Sequence, residues 1–188
     1  MISYKKEKIE NAVCFFAQEH KKKSGKPLAQ TYLWKYLAFV DFISIEKLGS
    51  PAFGLEYKAM KKGPVPHSLY NRRHDYKTDL FEFINIGEGK FVIKSKKSPD
   101  MDYFSKFEMS LMNILIRKYA QKWAKDISED SHNRIRAYKK TATNEIMDYA
   151  LTFEDDIRKK DEKSLNKAEE HFLTDLLFSG PSKCGSAR

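Results

Sequence analysis

The chain has 188 residues, of which 41% are hydrophobic, 13% aromatic and 32% charged. This length suits one ordinary hydrophobic core rather than two full domains, and the apolar and aromatic content argues against a disordered chain. The formal net charge of +9 favours an anionic partner, but charge alone does not choose among nucleic acid, a membrane surface and an acidic protein.

The sequence also bears on the compartment. No apolar run approaches the roughly 20 residues that a membrane span requires. The first residues, from Met1 to Lys6, lack the apolar region of a signal peptide. We therefore expect a cytoplasmic protein without a membrane partner.

The first two predicted elements are helices. Apolar residues at three- and four-residue steps predict a helix from Tyr4 to about Lys23, which Gly25 and Pro27 then end. A second helix, from about Ala29 to Lys47, is apolar on all sides and is therefore predicted to be the central core helix.

Two polar residues stand out in the apolar sequence of this second helix. Lys35 and Asp41 would each be explained either by a charged neighbour or by a partly exposed position. Neither residue is assigned a catalytic role.

A glycine-proline pair dominates the next segment. A short strand is predicted near Leu55 to Met60, and Gly63-Pro64 follows it. Glycine tolerates backbone angles that other residues avoid, and proline suits the first turn of a helix. We therefore predict a strand-to-helix corner, with a helix from Pro64 to about Lys77.

A hairpin is predicted after this helix. Two alternating stretches, Leu80 to Ile86 and Lys90 to Lys94, are joined by Gly87-Glu88-Gly89, a connector suited to a tight turn. We expect the hairpin to pair with the earlier strand.

The remaining predicted elements are helical. Ser105 and Glu108 have the spacing of a capping box, which predicts a helix from Ser105. Beyond Trp123 we expect a polar helix through Ile127 and His132. Two more helices are predicted, one around residues 144–153 and a last one from Ser164.

Together these elements predict a mainly α fold with a small antiparallel β element, in the α+β class. A compact helical domain would surround the core helix, with a hairpin and one short strand. We expect a single domain over residues 1–179 and a flexible tail over residues 180–188, because the tail has few apolar residues to bury.

Motifs of enzymes are missing from the sequence. It contains no Gly-x-Ser-x-Gly elbow, no His-Glu-x-x-His, no Walker loop and no dinucleotide-binding glycine fingerprint. The five histidines are dispersed, and Cys14 and Cys184 lie too far apart for a zinc motif. We therefore predict a protein without catalytic residues, metal or cofactor.

Four short motifs in a fixed order resemble the Panacea antitoxin domain, the family of SocA-type antitoxins and phage-associated GepA-like proteins. In chain order these are the Lys35 to Asp41 segment of the core helix, Tyr57-Lys58-Ala59, Gly63-Pro64-Val65 with Leu69-Tyr70, and Ser131-His132. The resemblance spans roughly residues 8–151. Ala38 and Lys62 depart from the family pattern, since the family usually has an aromatic residue at both places, and Tyr138 stands near an expected tryptophan.

This resemblance implies an antitoxin of a bacterial or prophage toxin-antitoxin pair, which neutralises a co-encoded protein toxin by direct binding. Some SocA-like relatives deliver the toxin to a cellular protease as adaptors, so a proteolytic role for the tail after Ser179 is implied as well. The candidate partner-binding residues are Tyr57, Gly63, Pro64, Val65, Leu69, Tyr70, Arg72 and His132. For His132 the alternative is that its ring nitrogens cap or bridge helices.

A winged-helix-like DNA-binding regulator is the second hypothesis. The hairpin would be the wing, with Arg72-Arg73 and Lys94, Lys96 and Lys97 near it. Carboxylates lie between most of the basic clusters, and such scattered cations are more typical of solvated helix faces.

Overall fold

A computed structural model describes residues 5–178 of the chain. The helices in this range are α1 (Lys5–Ser24), α2 (Gln30–Leu48), α3 (His67–Arg72), α4 (Lys106–Tyr119), α5 (Ala124–Arg134), α6 (Arg136–Lys140) and α7 (Lys167–Phe178). The strands are β1 (Leu28–Ala29), β2 (Tyr57–Met60), β3 (Gly63–Pro66), β4 (Phe81–Asn85) and β5 (Phe91–Ser95). The predicted α+β class is confirmed.

Helix α2 is the central core helix, as predicted. Its buried residues cover all sides of the helix, and α1, α4, α5 and α7 all contact it. Gly49 ends the helix with φ of 80°, and its N–H donates to the Ile45 carbonyl at 2.9 Å. An amphipathic helix would leave one face in water, whereas this one is enclosed because its sequence is apolar all round.

The predicted hairpin forms, but it pairs with a different strand. Strands β4 and β5 are antiparallel, and β5 also pairs with β1, which gives a three-stranded sheet in the order β1-β5-β4. Pairing with the strand near Leu55 to Met60 was wrong, because both edges of β2 are already occupied. Strand β3 covers one edge, and the backbone of residues 145–147 covers the other through hydrogen bonds to Tyr57 and Ala59.

The Gly-Pro segment is a strand rather than the start of a helix, so the predicted corner was wrong. Met60 pairs with Gly63 across a tight turn, and Gly63 to Pro66 forms β3. Proline is compatible with an edge strand, where a missing N–H breaks no ladder. Helix α3 begins only at His67 and ends at Arg72, well short of the predicted Lys77.

The C-terminal half contains one confirmed cap and one wrong helix. The Ser105 Oγ accepts from the Glu108 N–H at 3.3 Å, and Glu108 Oε2 accepts from the Ser105 N–H at 2.8 Å, which is the predicted capping box. The helix predicted around residues 144–153 is reduced to a 3₁₀ turn at Tyr149–Thr152. Residues 145–147 are extended instead, because their backbone pairs with β2.

The ends of the chain complete the description. The last helix begins at Lys167 rather than at Ser164. Among the helices between Lys5 and Phe178, none is long and apolar enough to cross a membrane. The expected flexible tail at residues 180–188 lies outside the described residues, so the domain boundary at residue 179 stays an expectation.

Candidate partner-binding site

Lys35 lies inside the protein, where α2 meets β3. Its side chain is buried, and Nζ donates to the Pro64 carbonyl at 3.0 Å. Burial lowers the pKa of Lys35 to about 7, since no charged partner offsets the loss of water. Neither explanation expected from the sequence, a charged neighbour or partial exposure, was right. The lysine instead holds the Gly-Pro strand against the core helix.

Gly63 fits closely between Lys35 and α5. A Cβ at this position would lie 2.6 Å from Ser131 Oγ and 2.8 Å from Lys35 Cε, and Gly63 has φ of 99°. Ser131 is fully buried, and its hydroxyl donates to the Ser128 carbonyl at 2.7 Å. Only glycine satisfies both the backbone conformation and the close approach.

His132 continues this contact towards the surface. Its ring stacks on Tyr138 with centroids 4.6 Å apart, and the Tyr138 hydroxyl donates to the Met60 carbonyl at 2.9 Å. Burial and the nearby Lys35 lower the pKa of His132, while a hydrogen bond with the Lys62 backbone opposes this change. Tyr138, which stands near an expected family tryptophan, thus helps to hold the turn between β2 and β3.

We define the motif cluster as Lys35, Gly63, Pro64, Ser131 and His132. Three of the sequence motifs meet in it, although they lie on α2, on β3 and on α5. In this fold the three motifs therefore form one junction rather than three separate features.

Asp41 forms a second buried junction on α2. The carboxylate accepts five hydrogen bonds, from the N–H groups of Phe53, Gly54 and Leu55 and from the hydroxyls of Tyr57 and Tyr149, at 2.6 to 3.2 Å. Burial raises the pKa of Asp41, and these hydrogen bonds oppose that change. Here too the expected charged neighbour or partial exposure was wrong. We refer to Asp41 and its five donors as the Asp41 cluster.

Helix α3 and the residues after it present arginine and tyrosine side chains beside this scaffold. The Arg73 guanidinium lies 3.8 Å from the centre of the Tyr70 ring and also donates to the Tyr70 carbonyl. Arg72 lies 5.3 Å from the centre of the Tyr76 ring. These contacts order long side chains before any partner arrives, which reduces the entropy lost on binding. Tyr70, Arg72, Arg73 and Tyr76 form what we term the α3 surface.

The structure places the eight predicted partner-binding residues at different depths. Tyr57, Gly63, Pro64, Val65 and Leu69 are buried, Tyr70 and His132 are half-buried, and Arg72 is exposed. The buried members support the β2–β3 hairpin and α3, whereas Tyr70 and Arg72 reach the surface. Their part in partner binding stays a prediction.

Two residues of the α3 surface were not among the predicted ones. Arg73 and Tyr76 each make a cation–π contact with a predicted residue or its neighbour. The signal available in the sequence was the presence of two tyrosines and two arginines between Tyr70 and Tyr76, because such residues dominate the energetics of many interfaces.

The described residues also bear on metal and thiol chemistry. Within residues 5–178 no three His, Cys, Asp or Glu side chains are grouped so that they could hold a metal ion. The Cys14 thiol donates to the Lys97 carbonyl at 3.0 Å, and burial raises its pKa to about 11. A thiol with a raised pKa is a weak nucleophile at neutral pH.

Comparison with protein families gives one match. The family described as "Antitoxin SocA-like, Panacea domain" matches residues 33–139, which is more than half of the chain. This range contains the whole motif cluster and the α3 surface. No curated protein and no solved structure matches the chain.

Proposed function

The chain belongs to the SocA-like antitoxin family with a Panacea domain, and on this premise we propose that it neutralises a co-encoded protein toxin by direct binding. The observation that carries the proposal is the family match over residues 33–139. Binding alone would be the activity, so no catalytic group is needed.

The chemistry of the α3 surface supports this role. Interfaces obtain most of their binding energy from a few tyrosine, tryptophan and arginine residues held in ordered positions. Arg72 and Arg73 form no ion pair within residues 5–178, and the exposed Arg72 guanidinium is available to a partner. We propose that the α3 surface contacts the toxin, while the motif cluster fixes its orientation.

Co-expression tests the proposal. Each neighbouring reading frame is expressed alone and together with this protein, and growth and co-purification are measured. We expect one neighbour to be toxic alone, and to be rescued through a stable complex. If no neighbouring product is both toxic and rescued in this way, the antitoxin proposal is wrong.

A charge reversal then tests the surface separately. Arg72→Glu is expected to weaken the complex by about tenfold or more, as loss of an interface arginine often does. Arg117→Glu makes the same charge change on an exposed position of α4 and serves as the matched control. If both variants bind the toxin equally well and the wild-type protein still rescues growth, the α3 surface does not contact the toxin. The antitoxin function itself would not be contradicted.

The DNA-binding alternative stays a second prediction. In the β4–β5 hairpin, Lys90 pairs with Glu88 at 2.5 Å and Lys94 pairs with Glu82 at 3.8 Å. These carboxylates reduce the positive potential that a wing needs to contact phosphates. A duplex-binding affinity that falls steeply with added salt would support the alternative, whereas no duplex binding at low salt would exclude it.

A role in proteolysis remains a further proposal on the same premise. The tail proposed as the protease handle lies outside the described residues. Removal of the residues after Ser179, followed by measurement of the toxin's lifetime in cells, tests it directly. A shortened lifetime that depends on the tail would support the adaptor role, and an unchanged lifetime would exclude this handle.

A further inference from the structure

A cleft lies between α2 and the segment that runs from Arg134 through α6. It is at the C-terminal end of α5, whereas Trp123 precedes the N-terminal end. The volume of the cleft is about 290 Å³. The apolar part of its lining comes from Phe39, Phe42 and Ile43 of α2 and from Ile135 between α5 and α6. Ile43 is half-buried and the other three are buried. We refer to it as the α2–α6 cleft. This volume lies just below the range of about 300–1,000 Å³ that is usual for ligand pockets.

Three exposed cations surround this apolar lining. Arg134, Arg136 and Lys139 all line the cleft, and none has a carboxylate within 4.0 Å among residues 5–178. Arg136 Nη1 donates to the Thr152 carbonyl at 3.4 Å. The remaining guanidinium donors have no partner in the described part of the chain.

The single acidic side chain of the cleft is already paired. Glu46 lines the cleft from α2, but its carboxylate lies 3.0 Å from Lys47 Nζ. The excess of positive charge at the cleft is therefore not neutralised from within residues 5–178. Elsewhere on the surface, many lysines have a nearby carboxylate, as Lys90, Lys94 and Lys97 do.

We propose that the α2–α6 cleft binds an acidic peptide segment of a protein partner. A carboxylate of this segment pairs with the guanidinium groups of Arg134 and Arg136, and a neighbouring apolar side chain contacts the half-buried Ile43. Arginine suits this role because its planar fork binds a carboxylate through two parallel hydrogen bonds.

The shape of the site favours a peptide over a nucleic acid. A nucleic-acid site presents cations along an extended track of phosphates, commonly with exposed aromatic rings on which bases stack. Here the cations surround a small recess, and the Phe39 and Phe42 rings are buried at 1% and 3% exposure, which leaves no stacking platform. A single carboxylate beside an apolar side chain fits this arrangement better.

This site is separate from the α3 surface, so it extends the proposed function without depending on it. The occupant is defined by its chemistry, and the test below does not require the toxin to be known. Peptide binding at the cleft and rescue of growth from the toxin are measured in different assays.

Selection from a displayed library of random peptides tests the proposal with the full-length protein as bait. We expect the enriched peptides to contain Asp or Glu next to an apolar residue. The binding of synthetic copies is then measured by fluorescence anisotropy, beside copies in which Asn or Gln replaces each acid. We expect the amide copies to bind about tenfold or more weakly, as loss of an interfacial charge pair does.

Protein variants locate the binding. We expect the acidic peptides not to bind the triple variant Arg134→Glu, Arg136→Glu and Lys139→Glu. The matched control, Lys21→Glu, Lys23→Glu and Lys26→Glu, makes the same change in net charge at exposed positions and should keep them. Circular dichroism verifies that both variants fold. If the cleft triple does not fold, the single variants Arg134→Gln and Lys139→Gln replace it.

Two results would overturn the proposal. The first is enrichment without acidic residues, or peptides that bind the cleft triple and the control triple equally well. The second is binding of a labelled DNA or RNA oligonucleotide that is lost in the cleft triple, while no acidic peptide depends on the cleft. This second result would assign the cations to nucleic acid instead.

Discussion

The two buried charges of helix α2 solve the same problem in different ways. Lys35 and Asp41 are both almost completely buried, with 1% and 0% of their surface exposed, and both join α2 to the chain that follows it. Asp41 accepts five hydrogen bonds, whereas Lys35 donates to one carbonyl. The carboxylate is therefore much more fully hydrogen-bonded than the ammonium group, although burial still raises the pKa of Asp41.

This difference separates a stabilising junction from a positioning one. The Asp41 cluster ties residues 53–57 to the core through a fully bonded carboxylate, which is the condition under which a buried charge is tolerated best. Lys35 has three donors but one acceptor, and burial lowers its pKa to about 7. Its location between β3 and α5 favours a role in positioning the hairpin over a contribution to stability.

Loss of the Asp41 carboxylate should have the largest effect. Asp41→Ala leaves the N–H groups of residues 53–55 and the Tyr57 hydroxyl without this acceptor, while Tyr149 keeps the Leu55 carbonyl as its acceptor at 2.6 Å. We therefore expect the free energy of unfolding to fall by about 3–5 kcal/mol. Urea denaturation measures this value. The control Glu46→Ala removes an exposed carboxylate from the same helix and should change stability by less than about 0.5 kcal/mol. Equal values for the two variants would show that the Asp41 cluster does not anchor residues 53–57.

Crowding at Gly63 should have the next largest effect. Gly63→Ala places a methyl group against Ser131 and Lys35, so we expect a loss of about 2–4 kcal/mol from overpacking and backbone strain together. Gly87→Ala is the matched control, since Gly87 has a similar φ of 94° but no atom within 4 Å of the added Cβ. In this control only the backbone strain acts, so the free energy of unfolding should fall by about 1 kcal/mol. If both variants lose the same amount in urea denaturation, close packing at the motif cluster is not what requires glycine.

The effect of Lys35 should depend on pH. The folded-state pKa of about 7 lies below the unfolded value of 10.5, so the unfolded chain binds more protons between these values. The contribution of Lys35 to wild-type stability should therefore rise with pH across this window, by a few kcal/mol, and the Lys35→Met variant lacks this contribution. The stability of the variant relative to the wild type should thus be highest below pH 7 and should fall as the pH rises.

Urea denaturation at several pH values between about 6 and 10 measures this dependence. The exposed variant Lys47→Met is the control, and its difference from the wild type should change little over the same range. A constant difference between Lys35→Met and the wild type would mean that Lys35 keeps its ordinary pKa, and that the contrast with Asp41 is wrong.

The smallest effect concerns the coupling of Ser131 to Gly63. Ser131→Ala alone removes one hydrogen bond of a buried side chain, so the free energy of unfolding should fall by about 1 kcal/mol. When Ser131→Ala is added to Gly63→Ala, the further fall in the free energy of unfolding should be smaller, because the hydroxyl that crowds the new methyl group is absent. Combined with Gly87→Ala, the losses should add. Additivity in both pairs would show that Ser131 does not limit the space at Gly63.

Much of the fold could be predicted from local patterns. The helical periodicity of α1, the uniform apolarity of α2, the alternation of β4 and β5 and the capping box at Ser105 are short-range signals, so their elements were found. The order of the motifs also identified the family. Of the α3 surface, Tyr70 and Arg72 were predicted, and Arg73 and Tyr76 were missed because their ring contacts depend on how the chain turns after α3.

Other features followed from partners distant in the sequence. Gly63-Pro64 carries the local signals of a helix start, but β2 lies beside it and makes it a strand, because backbone hydrogen bonds must be satisfied in a buried segment. The same requirement extends residues 145–147 along β2, in place of a helix. The sequence by itself determined the core helix, the hairpin and the family. Only the tertiary structure decided that Lys35 and Asp41 are buried and how they are compensated, since burial depends on which distant segments pack against α2.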